Sequence, residues 1–215
     1  MGARVARWPD VDLVKLWAGC RPVTAAPAIA AWLQDRKVEL SRVVERDLAR
    51  VLPAPSTWAP WAHRLGAACP PVRSWLLLPL YSAYGSVAAL YLHAIDRPEG
   101  SRRIGRGGNG LYGKVLADRT ARRLLAGSPM PMDGRTVVVA QGVSDFLDWA
   151  TSQPDTDDGP AVFGVVEDGW TDAVAARIPD HLRVLVRSHD GVVDRNAQRV
   201  VTTLGMRCQV IVRSS

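Results

Sequence analysis

Two short stretches of this chain carry side chains that could do chemistry together. One is Gln141-Gly142 followed by Asp145; the other is Ser188-His189-Asp190 followed by Asp194. Acidic groups gathered in one place could hold Mg²⁺, which prefers oxygen ligands and keeps several of its waters. Two such ions clamping an attacking and a leaving oxygen is the usual logic of phosphoryl transfer. Spacing by itself does not select that reading, because Asp at a helix N-cap is common for structural reasons.

The two stretches meet only if the fold carries them to one edge. In RTVVVAQGVSDFLDWAT, residues Arg135 to Thr151, the apolar run Val137-Val138-Val139-Ala140 reads as a short strand buried on both faces. Gln141-Gly142 breaks it, and Ser144-Asp145 opens a helix with Phe146, Leu147 and Ala150 at helical spacing. Strict alternation follows. Strand Thr136–Ala140 leads to helix Ser144–Ser152, strand Ala161–Val166 to helix Thr171–Ile178, and strand Arg183–Arg187 to helix Asp194–Leu204. Strand Arg207–Val212 closes a βαβαβαβ pattern, which predicts a mainly parallel four-stranded α/β sheet. Ligands in such sheets bind beyond the carboxyl ends of the strands, where Gln141 and Asp190 would share one rim.

The upstream half is expected to be helical and then hairpin-forming. Asp12–Cys20 and Pro27–Leu52 have helical periodicity, with Pro53 and Pro55 ending the second helix, and Ser56–Pro71 reads as a loop. Ser74–Leu92 has no charge and approaches the length a bilayer needs. Pro79, Ser82, Gly85, Ser86 and its tyrosines make a buried hairpin turning near Ser82–Gly85 the better reading. The loop DRPEGSRRIGRGGNG follows, with Arg97, Arg102, Arg103 and Arg106, and then Lys114, Arg119, Arg122 and Arg123. Flexible glycine backbone with clustered Arg could track nucleic-acid phosphates, although a solvated basic surface would have the same composition. No GK[ST] follows, so this is not a Walker loop.

Composition sets the outer bounds. A formal charge of +6 favours a polyanionic partner. Lys15, Lys37 and Lys114 are the lysines; the other basic residues are Arg, suited to bidentate phosphate contacts. Cys20, Cys69 and Cys208 are isolated, which points to reduced thiols of a cytoplasmic protein without a zinc module. No signal peptide is recognisable at the amino terminus.

Placed in order, these residues resemble a known family. AQGVSDFLDWA is similar to the first Toprim motif, in which a strand is followed by Glu-Gly, two variable residues and Asp. SHDGVVDRNA, residues 188–197, is similar to the second, an Asp-x-Asp followed by a small-residue turn and a helix. Upstream, WLQDRKV resembles the L-x-x-R-G helix of bacterial primase cores. RSWLLLPLYSAYGSVAAL resembles their R-x-x-x-P-x-x-d-x-x-G-x-v hairpin, and NGLYGKVLAD the LYG stretch before the Toprim domain. The resemblance implies a primase-core-like amino-terminal subdomain over residues 1–132 and a Toprim domain over 133–215. It implies Mg²⁺ on Asp190 and Asp145, with Asp194 as a partial substitute, and RNA primer synthesis on single-stranded DNA. Single-stranded DNA or other nucleic acid, nucleotides and a separately supplied replicative helicase are the partners implied, with no membrane.

The departures bear directly on that chemistry. Gln141 stands where the family has Glu, and Ser188 replaces the first Asp of Asp-x-Asp. Val192-Val193 replaces the small turn. The amino-terminal zinc-binding and carboxy-terminal helicase-binding modules of replicative primases are not recognisable in the sequence. Loss of two carboxylates should weaken Mg²⁺ binding, since charge attraction supplies much of the affinity. The expectation is therefore an impaired primase, against a binding module that has lost catalysis and a Toprim nuclease of mobile-element origin.

Overall fold

A computed structural model of the protein describes residues 10–52, 75–96, 102–105, 112–129, 134–153, 156, 159–188 and 195–214. The chain packs into two compact units, one of Met1–Pro79 with Ala88–Gly110, the other of Leu80–Val87 with Leu111–Ser215. This division by packing differs from the sequence division at 132/133, which marks where strand–helix alternation begins.

The first unit opens with α1 (Asp10–Gly19), β1 (Arg21–Pro22) and a 3₁₀ turn (Val23–Ala25). It continues through α2 (Pro27–Gln34), α3 (Leu40–Glu45) and β2 (Arg50–Val51). The single helix expected over Pro27–Leu52 is therefore two, and Pro53 and Pro55 do not end it. Both helices stop by the same device. Lys37 and Asp47 take left-handed φ values of 62° and 51°. The amides of Val38 and Leu48 then reach back to the carbonyls of Leu33 and Val43, each at 3.1 Å. Lys37 and Asp47 bond Gln34 and Val44, completing two Schellman closures. Leu33, Val38, Val43 and Leu48 are all buried, so each closure is sealed by an apolar pair. Because the closing residues are themselves apolar, helical periodicity runs straight through both breaks.

Asp47 is also a hub. It accepts from Trp17 Nε1 at 3.0 Å and from Arg50 Nε at 2.8 Å, and the Arg50 guanidinium lies 4.9 Å from the Trp17 ring centroid. These bonds tie α1 to the turn that ends α3. The core beneath includes Leu13, Leu16, Leu77, Leu90 and Leu92.

The uncharged stretch is a hairpin of β3 (Trp75–Ser82) and β4 (Val87–Ala94), as expected. Among the described residues no helix is long and apolar enough to cross a membrane. Gly85 turns the hairpin at φ 75°, and a Cβ there would stand 2.9 Å from the Ala126 amide nitrogen. A correction concerns Arg102–Gly105, which are not loop but strand β5, paired antiparallel to Ala89–Leu92 of β4. Glycine and Arg dominate that stretch, and pairing to a neighbouring strand overrides its low intrinsic β-propensity.

An aromatic row crosses from α2 to β4. The Arg36 guanidinium sits 4.1 Å from the Trp32 ring centroid, Trp32 lies 5.3 Å from His93, and His93 stacks on Tyr91 at 6.3 Å. Burial, and secondarily the Arg36 charge, pushes the His93 imidazole down to about 4.

The second unit holds β6 (Lys114–Ala117), α4 (Arg119–Leu125), β7 (Thr136–Gln141), α5 (Gly142–Ser152) and β8 (Ala161–Val165). It continues through α6 (Asp172–Ala175), β9 (Arg183–Ser188), α7 (Arg195–Leu204) and β10 (Gln209–Ser214). The strand order β6-β8-β7-β9-β10 puts four parallel strands side by side, with β6 antiparallel to β8. The predicted alternation is borne out element by element. Helix α6 is shorter than expected, because Arg177 and Ile178 tighten to i→i−3 bonds on Val174 and Ala175 before Pro179. On the sheet, Gly164 has no room for a Cβ, which would meet Phe146 of α5 at 2.7 Å. That contact sets how closely α5 lies on β8.

Two outcomes follow from these turns and rings. Lys37→Gly should raise stability by about 1 kcal/mol, since glycine takes the left-handed region without cost, while Gly85→Ala should lower it by more than that. Thermal unfolding of both variants checks the pair. His93 has a lower pKa folded than unfolded, so between about pH 6.5 and 4 the unfolded chain binds the extra proton. Stability should therefore fall as pH drops through that window, and His93→Gln should flatten the decline in a urea titration series.

Candidate functional site

Burial decides where the polar end of β7 falls. Val137 to Ala140 are no more than 1% exposed, so the strand is dry on both faces, and Gln141 ends it at 5% exposed. Gln141 pairs with Val165 of β8 on one side. On the other side, β7 runs beside β9 from Thr136↔Arg183 to Val139↔Val186. Pairing ends there, two residues short of Gln141 on β7 and of Ser188 on β9, so both lie at the carboxyl ends of neighbouring strands, about 5 Å apart between strand axes. This is also the topological switch point. From β7 the chain passes to β8 on one side and then to β9 and β10 on the other, leaving a crevice between β7 and β9.

Gln141 is the backbone N-cap of α5 and makes no side-chain cap bond; Gly142 follows at φ 82°. The helix thus begins two residues earlier than the Ser144-Asp145 start read from the sequence. The buried Gln141 Nε2 has no hydrogen-bond partner among the described residues. Asp145 is half-buried in the first turn of α5, where a carboxylate is favoured by the helix N-terminus. His189, Asp190 and Asp194 lie outside the described residues, as do Val192 and Val193. Among the described residues no three His, Cys, Asp or Glu side chains cluster as a metal site. The described part of the rim offers one carboxylate and one neutral amide whose buried N–H has no acceptor.

The predicted basic residues divide. Arg97 and Arg106 lie outside the described residues, and Arg102 and Arg103 stand opposite Leu92 and Tyr91 in the β4–β5 register. Lys114 is half-buried at the start of β6, and Arg119 is exposed at the start of α4. Arg122 is already engaged: it donates to the Tyr81 hydroxyl at 3.2 Å, and its guanidinium lies 5.5 Å from the Tyr81 ring centroid. Arg123 is half-buried one residue on.

Among the described residues the two free thiols offer no nucleophile. Cys20 donates to the Leu16 carbonyl at 3.1 Å and burial pushes it up to about 12; burial raises Cys208 as well. Cys69 lies outside the described residues. The Arg36–Trp32–His93–Tyr91 row has no signature in the sequence. Its members are spread from residue 32 to residue 93, and only the packing of α2 on β4 unites them.

No protein-family model matches the chain, and no curated protein matches it in sequence. Solved structures do match. The Aquifex aeolicus primase (zinc-binding and RNA polymerase domains) is similar over 95% of this chain and 53% of its own, with a TM-score of 0.59 and 11% identity. The DnaG catalytic core is similar over 94% of this chain and 71% of its own, with a TM-score of 0.60 and 10% identity. The chain thus spans about half the length of the Aquifex protein structure. At such identities the likeness is one of architecture: the mixed α/β fold of this chain is that of a bacterial primase catalytic core.

Proposed function

We propose that the chain is a primase-like Toprim protein that acts on single-stranded nucleic acid, with metal-dependent nucleotidyl transfer impaired. One observation carries this reading: a buried neutral amide, Gln141, ends the central strand at the switch point where the Toprim pattern has a carboxylate. The fold likeness supports the nucleic-acid part, and so do the exposed Arg119 and the β5 arginines Arg102 and Arg103. Mg²⁺ would be held weakly, by Asp145 with Asp190 and Asp194, and its chemistry when bound is to neutralise charge on transferring phosphoryl oxygens. The chain's own residues would bind and orient the strand. A mobile-element nuclease is disfavoured, because it requires the same missing Glu and leaves the primase-like hairpin and LYG stretch unexplained.

Two measurements test the proposal. In the first, Gln141→Glu with Ser188→Asp should tighten Mg²⁺ binding by about 1 kcal/mol or more per added charge. It should also lower metal-free stability, because like charges then face each other across neighbouring strands. Calorimetric Mg²⁺ titration and primer synthesis, native beside double variant, read this out. Robust synthesis by the native chain, or no gain in Mg²⁺ affinity, would refute the impaired-site reading.

The second measurement is the salt dependence of single-stranded DNA binding. Arg119→Ala, and the triple change at Arg102, Arg103 and Arg106, should flatten the slope by roughly one unit for each phosphate no longer neutralised. Arg122→Ala should leave the slope unchanged while lowering stability, since that guanidinium is held on Tyr81. An unchanged slope in the first two variants would return the basic surface to a solvated face.

A further inference from the structure

The four parallel strands have a second feature, away from the rim. On one face of the sheet, a cavity of about 510 Å³ opens between the carboxyl-terminal half of α5 and strands β7, β9 and β10. Its lining includes Arg135, Arg183 and Arg213 together with Trp149, over an apolar floor of Val138 and Leu185. Among the described residues no acidic side chain lines it. Thr136 is five residues of strand, about 17 Å, from Gln141, and Thr136 and Val138 face the side of the sheet opposite to Gln141; Arg213, opposite Arg187, reaches nearly to the level of the rim but on the cavity's face.

The register explains why the face is open. Leu185 and Val138 pair across β7 and β9, and Arg183 pairs with Thr136, so these four point to the same side. On the opposite side Val184 and Val186 are fully buried, whereas here Arg183 is exposed and Leu185 half-buried. Helix α5 covers β7 and β8 but leaves this part of β9 and β10 partly bare.

The chemistry selects the occupant. Arg183 and Arg213 have no hydrogen bond or ion pair among the described residues, and Arg135 places a third guanidinium in the wall at 8% exposed. Three guanidiniums in a concave, partly desolvated site match a polyphosphate, whose oxygens take their paired N–H groups. The carbonyls ending α5 add only about half a negative charge, which the three cations outweigh. The Trp149 indole lines the cavity as its aromatic wall, its own N–H being buried without an acceptor among the described residues. A flat apolar floor beside it suits a base. The volume lies in the range of pockets that enclose a single small ligand.

We propose that this cavity binds a nucleoside polyphosphate, with phosphates on Arg135, Arg183 and Arg213 and the base against Trp149, Val138 and Leu185. It is a binding site distinct from the strand-end rim and independent of metal there.

The test is calorimetric titration of the full chain without divalent metal, using ATP, inorganic tripolyphosphate, adenosine and a single-stranded DNA oligonucleotide. ATP should bind, tripolyphosphate at least tenfold more weakly, and adenosine weakly or not at all. Arg183→Ala with Arg213→Ala should weaken ATP at least tenfold, and Trp149→Ala should lower the preference for ATP over tripolyphosphate. The ATP-induced rise in melting temperature, abolished in the double variant, checks that the variants fold and report binding. Asp145→Asn should leave ATP affinity intact, separating the cavity from the rim. Equal affinity for tripolyphosphate and ATP would overturn the nucleotide assignment in favour of a bare anion site. Binding of the oligonucleotide but not ATP at this site would overturn it in favour of a nucleic-acid backbone. ATP binding that survives the double Arg variant, or fails altogether, would remove the site.

Discussion

The second unit depends on one strand that water does not reach. From Val137 to Ala140 β7 is buried, and as far as Val139 it is paired in parallel on both sides, so that stretch has no solvent-facing position to spend on a polar residue before Gln141. Parallel pairing forbids tight hairpins and demands long crossovers, which is why helices separate every pair of these strands. A slip of one residue in register would turn Gln141 away from the crevice and drive each valine to the wrong face. Placement of the rim is thus a by-product of core packing. The same burial puts Phe146 directly against Gly164, which fixes α5 and with it both Asp145 at one end and Trp149 at the other.

That constraint gives the residue at 141 its chemical meaning. A carboxylate this deeply buried would need a cation or several donors to hold its charge, and would otherwise take up a proton. An amide of the same shape needs neither. Its cost is the unmet Nε2, about 1–3 kcal/mol for a buried donor without an acceptor, well below that of an uncompensated buried charge. A strand end with Gln141 can therefore stay closed in the absence of a cation, whereas one with Glu could not do so as cheaply. The local fold and the local chemistry are uncoupled by a single atom exchange.

Sequence reading reached the second unit more fully than the first, for a physical reason. From Thr136 onward each element has its own period and is bounded by polar residues, so local pattern and tertiary fold agree. In the first unit the breaks at Lys37 and Asp47 use residues with no strong turn signature, and apolar Val38 and Leu48 continue the helical period across them. Within the L-x-x-R-G pattern that WLQDRKV resembles, Lys37 occupies the glycine position, and its φ of 62° is the conformation for which glycine is favoured. The strand at Arg102–Gly105 was hidden because its partner, β4, supplies the order that its own composition lacks. At the rim, the polar ends of β7 and β9 were legible. The neighbourhood of Trp149 was not, since Trp149, Arg183 and Arg213 meet only through sheet order.

Net charge is the weakest guide to function here, because so many arginines serve the fold. Among the described residues Arg36, Arg50, Arg122, Arg177, Arg187 and Arg199 each lie within 5.6 Å of the centroid of an aromatic ring. Arg50 and Arg207 add hydrogen bonds to backbone carbonyls far along the chain. A guanidinium can do this because it is planar, weakly hydrated and able to stack, which a lysine ammonium is not. A chain this rich in Arg and poor in Lys is therefore partly a structural design, in which cations cover aromatic surface. Positive charge available to a ligand is what remains after those arginines are set aside. Among the described residues it includes Arg119 on α4 and Arg183 and Arg213 on one face of the sheet, two places that neither composition nor charge spacing would have separated from the rest.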